Sequence, residues 1–434
     1  MTQVLTAVAV VFGVTMLVVG IMRLIIVPFA LVFEARDRRL PSGAAPHAGT
    51  IFDRPDNPDR AYPPSVSVIV PAYNEGVVVE NCVRSIVRSR YPDFEVVCVD
   101  DGSSDDTYAK LQALAAELPG VIARTQRNRG KGAALNHGID YALGDILVLV
   151  DADGVFGPDT LTEMVRGFTD ESIGAVCGDD RTMNLDRVQT RFFALINHVG
   201  TGLMRRALSM LHCLPIVSGN TGAFRRDVLE RTGPLREDTV GEDLELTWRV
   251  YRAGYRATFA PRALVYTESP STLPELFRQR VRWARGLLQT IRLHYDMTGN
   301  PSYGPFGPYL AFNAFAQVLG PVIQVAALVV FVALALLGDA GDPGDPSVVP
   351  VTFWQVLLFL SLPLTVVLLV LAVLLDRAAA DLRHAWTLPL WPFFSTVLSL
   401  VMLRAIWLEL SGAESRWYKT DRSGTVSIDT GHGP

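Results

Sequence analysis

Apolar runs alternate with segments of helical spacing over residues 65–177. The runs at 65–73 (SVSVIVPAY), 94–99, 121–125 and 146–150 are short and rich in β-branched residues. Such runs, bounded by polar residues, read as strands buried on both faces, the pattern of a parallel sheet. The first is expected to stop at Pro71, with Asn74 and Glu75 capping a helix that carries Val79, Val83, Ile86 and Val87 at helical spacing. Ser103, Ser104, Asp105 and Asp106 offer N-caps for a second helix through Leu114, and residues 133–142 give a third. Strand and helix thus alternate four times, which predicts an α/β domain with a mostly parallel sheet and helices on both faces. Further on, the pattern predicts a helix at 158–167, a strand at 173–177 and a long, interrupted helix at 181–206. A strand with a glycine-rich turn at 215–224 and a helix at 239–252 follow.

The flanks have a different pattern. Residues 4–22 are apolar, uncharged and long enough to span a bilayer, and Arg23, Arg36, Arg38 and Arg39 follow them. The positive-inside rule then puts the N-terminus outside and the central domain in the cytosol of a multi-pass plasma-membrane protein. With no basic segment ahead of the run and no small-residue cleavage site, a secretory signal is not expected. Residues 40–64, rich in Pro, Gly, Asp and Arg, read as a linker. Residues 276–292 are amphipathic and basic around Trp283, as in a helix lying in a membrane interface, with Arg278, Arg280, Arg282 and Arg285 expected to face headgroups. Three apolar stretches close the chain, at 309–338, 351–375 and 386–403. The acidic loop 339–350 belongs outside, and residues 376–384, with Arg377 and Arg383, inside. The third stretch either spans and leaves the basic segment 415–422 outside, or is re-entrant or interfacial; the charge rule favours the latter. The expected divisions are a transmembrane helix (1–35), a linker (36–64), a catalytic domain (65–270), interface helices (271–305), a membrane region (306–410) and a tail (411–434).

Composition agrees with this division. With 434 residues, 49% of them hydrophobic, and a mean hydropathy of +0.26, the chain is more apolar than a soluble protein, yet its middle is too charged to be all membrane. A net charge of -5, without a basic patch interleaved with aromatics, argues against a nucleic-acid partner. Cys82, Cys98, Cys177 and Cys213 are widely spaced in mostly apolar surroundings, as reduced thiols of a cytosolic core would be. The seven histidines form no ligand spacing.

The candidate chemistry lies at the end of the fourth apolar run, which delivers Asp151 and Asp153 to the C-terminal edge of the sheet, where open α/β sheets bind ligands. Two such carboxylates suit a divalent cation shared with a phosphate, since magnesium takes one or two carboxylates and completes its shell with phosphate oxygens and water. An isolated D-x-D equally marks a strand running into an Asp-Gly turn. An EF-hand is excluded: Gly154 falls at the fourth loop position and no Glu follows at the twelfth. Gly130-Lys131-Gly132 is not a Walker loop, because Thr125 stands where that motif needs its first glycine. Glu242 and Asp243 open a helix, where the dipole favours anions.

These motifs combine with others in a fixed order: P-x-Y-N-E at 71–75, DDGS at 100–103, G-K-G-x-A-L-N at 130–136, DAD at 151–153, G-E-D at 241–243 and Q-x-x-R-W at 279–283. From residue 65 to about 304 the chain resembles the membrane-embedded, processive family 2 glycosyltransferases, the group of hyaluronan, chitin, cellulose and poly-N-acetylglucosamine synthases. The resemblance implies a Rossmann-like GT-A catalytic domain with amphipathic interface helices and transmembrane segments. It assigns Pro71, Tyr73, Glu75 and Asp101 to the uridine, Lys131 to the nucleotide side, and Asp151 and Asp153 to diphosphate and Mg2+ or Mn2+. Asp243 is then the general base, with Glu242 as the rival neighbour. Gln279, Arg282 and Trp283 close over the diphosphate and the acceptor end. The run TVGEDLELTWRV looks closer to poly-N-acetylglucosamine synthases than to cellulose or hyaluronan synthases. The implied partners are a UDP-sugar donor, UDP-N-acetylglucosamine first, a growing polysaccharide acceptor, membrane lipid, and a second copy or an export subunit. Two alternatives stand beside this: a transferase adding one sugar to a lipid carrier, and an inactive partner subunit or sugar-nucleotide sensor. Asn313, Gln317, Gln324, Trp354 and Gln355 are the polar and aromatic candidates for lining a path through the membrane.

Overall fold

Every residue of β1 (Val66–Ala72) is buried, as expected of a strand covered on both faces. It lies between β2 (Phe94–Asp100) and β4 (Ile146–Leu149), and β3 (Val121–Thr125) pairs beyond β2, all in parallel. The computed structural model describes residues 2–39, 50–52, 63–337, 364–414 and 424. β1 runs through Pro71 instead of stopping there. The β1–β4 ladder ends where Val150 N donates to Ile69 O, so the edge of β1 on which Pro71 lacks an N–H has already lost its partner strand. α2 (Val79–Val87) and α3 (Thr107–Glu117) pack on one face through Val79, Val83, Ile86, Leu111 and Leu114, while α4 (Lys131–Tyr141) covers the other through Leu135. α2 starts later than expected, and its cap position, Val78, makes no side-chain cap bond.

The remaining sheet is mixed. The strand order is β3-β2-β1-β4-β7-β6-β8-β5, with β5 at Val155–Phe156, β6 at Ile173–Thr182, β7 at Gly222–Arg225 and β8 at Arg256–Thr267. β7 runs antiparallel to both β4 and β6, and β5 antiparallel to β8, while β6 and β8 pair in parallel, so the expected mostly parallel sheet is interrupted at β7 and β5. Because β7 starts opposite Leu149, the loop before it lies at the C-terminal edge of the sheet, beside the aspartates. The helix expected over 181–206 begins later. β6 extends to Thr182 because it pairs with β8, and then come α6 (Val188–Asn197), a π-helical turn (His198–Leu203) and α7 (Met204–Met210). α5 (Thr160–Arg166), α8 (Arg226–Thr232) and α9 (Glu242–Arg252) complete the domain around two buried apolar clusters, one on each face. All four cysteines are free and buried.

Among the described residues three helical stretches are long and apolar enough to cross a membrane: Gly13–Asp37, Phe306–Val330 and Ala379–Leu410. The first belongs to a continuous α1 (Thr2–Asp37), which does not break at Arg23 or Pro28. The second joins α11 (Phe306–Ala314) to α12 (Gly320–Leu337) through a π-turn at Phe315–Leu319. α13 (Leu364–Leu375) is shorter, and the earlier part of its expected stretch, with Trp354 and Gln355, lies outside the described residues, as does nearly all of the linker. α14 (Trp391–Leu410) lies along α10 (Leu273–Leu293) and runs the same way: Phe394 clusters with Leu276, Ala405 with Ala284, and Glu409 pairs with Arg285. Gln324 bonds Ser395 and Ser399 of α14, so it joins two helices. Asn313 is buried and Gln317 exposed.

Candidate active site

Three loops at the C-terminal ends of β1, β2 and β4 carry the motif residues. The first two are stitched together at Asn74, whose φ of 55° is left-handed, a conformation Asn tolerates. Its N–H donates to Ser103 Oγ at 2.8 Å and its Oδ1 accepts from Ser104 N at 2.7 Å. Asn74 therefore locks P-x-Y-N-E to DDGS and does not cap α2. Pro71 and Glu75 are buried on this ledge and Tyr73 is half-buried.

Asp101 faces inward. Its Oδ1 accepts from Gln126 Nε2 (2.8 Å) and Arg129 N (3.0 Å), and its Oδ2 from Gly130 N (2.8 Å). Ordering the 126–130 loop, which sets where α4 and Lys131 begin, is thus its visible work.

Lys131, the first residue of α4, brings the carboxylates together. Its Nζ lies 2.5 Å from Asp151 Oδ1 and 3.3 Å from Glu242 Oε1. Burial alone would lower the Lys131 pKa, but Asp151, Glu242 and Asp243 outweigh it and hold the ammonium well above its usual range. Asp243 accepts from Gly219 N through Oδ2 (3.0 Å) and from Leu244 N through Oδ1 (2.8 Å). Burial and the neighbouring Glu242 raise its pKa above the ordinary aspartate value, against the pull of Lys131 and those two N–H groups. A Cβ at Gly219 would stand 2.9 Å from Lys131 Nζ and 3.3 Å from Asp243 Oδ2, so the glycine leaves room for the charged groups to meet. Thr247 ties the loop to α9, accepting from Val217 N (2.9 Å) and donating to Asp243 O (2.8 Å). Asn220 Oδ1 accepts from Asp151 N (3.3 Å). Asn220 lies in the glycine-rich turn expected from the sequence, whereas no local pattern distinguishes Thr247.

The donor set suits a hard divalent cation bound jointly with a substrate. Asp151 is 38% exposed at its side chain, and Asp153, 8% exposed, follows two residues on. Among the described residues no three His, Cys, Asp or Glu side chains form a closed cage, so a cation held here would complete its shell with phosphate oxygens and water, as magnesium usually does.

α10 approaches this cluster through residues beyond the tryptophan motif. Gly286 touches Gly241, and Gln289 Oε1 accepts from the Thr239 hydroxyl and from Val240 N. Trp283 itself is 47% exposed and Gln279 is half-buried. The basic residues of the helix do not all face headgroups. Arg285 is buried against Glu409 at 2.6 Å, and Arg280 lies between Trp283 (4.2 Å) and Phe193 (5.1 Å), where burial lowers its pKa to about 10.

Residues 63–286 match the family model described as glycosyltransferase like family 2. Poly-β-1,6-N-acetyl-D-glucosamine synthases of Staphylococcus aureus (strain COL) and Staphylococcus epidermidis are 30% and 31% identical over 226 residues, 51% of this chain and 54% of theirs. The chain thus matches about half the length of these curated relatives. The solved mannosyltransferase PcManGT from Pyrobaculum calidifontis, in complex with GDP-Man and Mn2+, is 25% identical with a TM-score of 0.61, covering 94% of this chain and all of that one. With more than half of its length inside the family model, and a sheet that presents the motif carboxylates at one edge, the chain belongs to the family 2 glycosyltransferases and carries a GT-A-like catalytic domain.

Proposed function

We propose that this chain is an inverting hexosyltransferase that extends a β-linked polysaccharide from a UDP-activated sugar, UDP-N-acetylglucosamine in the first instance, and passes the product across the membrane. The observation that carries the reading is the cluster in which Lys131 gathers Asp151, Glu242 and Asp243 at one edge of the sheet, docked against the helix that bears Gln279, Arg282 and Trp283. In this reading the ledge of Pro71, Tyr73 and Glu75 takes the uridine, and Asp101 shapes the pocket by holding the 126–130 loop. Asp153 and Asp151 hold Mg2+ or Mn2+ with the donor diphosphate; when bound, the cation stabilises the negative charge of the departing diphosphate. Asp243 takes the proton of the acceptor hydroxyl, whose oxygen attacks the anomeric carbon as the bond to the diphosphate breaks. Lys131 balances the carboxylates through this change. Arg282 and Trp283 stand over the diphosphate and the acceptor end. The catalytic domain faces the cytosol, and the chain alone, a second copy or an export subunit supplies a path for a polymer whose unpaired hydroxyls would each cost about 2–7 kcal/mol in hydrocarbon.

A second reading, single transfer of mannose from GDP-mannose, has the whole-chain structural likeness to PcManGT in its favour. Sealed vesicles holding the full chain, supplied on the catalytic side with labelled UDP-sugars or GDP-mannose, separate the two. A long product from UDP-N-acetylglucosamine, protected in the lumen from added glycosidase, supports the first reading. A single mannosyl addition overturns it.

A further inference from the structure

We propose that Gln289 and Glu409 are positioning residues that set the turn carrying Asp243, so that the end of α14 registers the candidate base. The inference rests on the reading of Asp243 as the base. Gln289 is buried, and its Oε1 accepts from Val240 N (3.1 Å) and Thr239 Oγ1 (3.0 Å). Thr239 Oγ1 in turn accepts from Gly241 N at 3.2 Å, and Gly241 caps α9, whose first two residues are Glu242 and Asp243. Both partners on the loop side are donors, so the amide must present its oxygen to them and turn its NH2 the other way. There it meets Glu409 Oε1 at 3.0 Å.

A carboxylate only accepts, which makes Glu409 the group that fixes the amide in that orientation. Arg285 Nε holds the same oxygen at 2.6 Å, and its other nitrogens donate to Ala413 O (2.6 Å) and Glu414 O (3.0 Å), so the end of α14 is itself fastened to α10. Beside this relay the two backbones touch: a Cβ on Gly241 would lie 2.9 Å from Gly286 Cα, and one on Gly286 equally close to Gly241 Cα. No side chain can act as a cushion there, so the turn follows α10 directly, and the end of α14 acts on it through the Glu409–Gln289 contact. A displacement of about 1 Å at a reacting group can cost a hundredfold in rate.

The test uses the full chain in lipid, with Gln289→Leu, Gln289→Glu and the exchange pair Gln289→Glu with Glu409→Gln. The first two are expected to lower kcat by about tenfold to a hundredfold while donor KM and UDP affinity stay within about twofold. The exchange pair restores an acceptor toward Val240 and a donor between the helices, and is expected to regain most of the rate. Amide hydrogen exchange across residues 239–241 should rise in Gln289→Leu, a readout that needs no turnover. Wild-type kcat with unchanged exchange in both single variants overturns the proposal, as does a rate loss that tracks a lowered unfolding midpoint and is not regained in the exchange pair. Asp243→Asn in the same assay separates the two ideas: if that variant keeps its turnover, the base reading fails, and the exchange measurement still judges the tie.

Discussion

Lys131 and Asp151 meet at 2.5 Å, joining the start of α4 to the end of the β4 segment. The ammonium thus already pairs with one of the two aspartates proposed to hold the cation, and Asp153 is the second of that pair. Asp153→Asn is expected to abolish transfer with the fold intact, because it removes the charge that holds the cation against the diphosphate. Transfer assays with and without EDTA, paired with circular dichroism, check this; full activity of the variant or in chelator contradicts the assignment.

Replacing Lys131 by Met leaves Asp151, Glu242 and Asp243 without their shared cation. Breaking a buried pair in this way typically costs about 3–5 kcal/mol. Since Lys131 pulls the Asp243 pKa down, its loss should also move the acid limb of the pH–rate profile to higher pH. Denaturant unfolding and a pH series on the variant read both effects, and an unmoved acid limb would show that the two groups are not coupled.

Asp243→Asn should cut turnover by about 10²–10⁴-fold and leave UDP affinity nearly unchanged. In the unsubstituted protein, activity is expected to fall as pH drops through the raised Asp243 pKa, because a base that takes the hydroxyl proton must be the carboxylate. Glu242→Gln is the control: Glu242 faces Lys131, so it is expected to be the milder change. The reverse ranking in steady-state kinetics would transfer the role to Glu242.

His198 is expected to make stability depend on pH. Burial alone would lower its pKa, but hydrogen bonds to Asp376 (2.6 Å) and Asp381 (3.0 Å) push it up to about 9 from the ordinary 6.5. A raised value means the folded protein holds a proton that the unfolded chain releases first. The contribution is therefore complete below about pH 6.5 and is lost as pH rises through about 9. Thermal unfolding midpoints should fall across that window and flatten in His198→Gln; equal slopes would remove His198 as the cause.

What the sequence made legible was local. β1, β2, β3 and β4 stand out because strands covered on both faces leave unbroken apolar runs, and the motif residues are recognisable from short spacings. β8 was not legible, since Pro261 interrupts it. The register shifts between Cys177/Asp179 and the facing residues of β8, and Pro261 sits in that irregularity, where the regular ladder is broken. The strand expected ahead of the glycine-rich turn at 215–224 is not formed: residues 215–221 are loop, and β7 follows the turn at Gly222–Arg225, paired between β4 and β6 in a way no local pattern announces. The partnership of Gln289 with Glu409 joins residues 120 positions apart, and a lone Gln on an amphipathic helix gives no sign of it. Arg285 looked like a headgroup ligand for the same reason: its carboxylate partner lies beyond three apolar stretches.

Arg206 holds Glu34 at 2.9 Å, 172 positions earlier in the chain, and Asp376 at 2.6 Å, 170 positions later. It is 2% exposed, so neither partner is optional: a buried guanidinium left half-paired is costly. During synthesis the end of α1 is available to it from the start, whereas Asp376 emerges only after the whole catalytic domain has been made. Any shorter nascent chain carries a domain whose central arginine has one of its two carboxylates. The Arg206–Asp376 pairing is therefore expected to close late in synthesis, and a chain cut before residue 376 is expected to carry a defect deep inside a domain whose own sequence is complete.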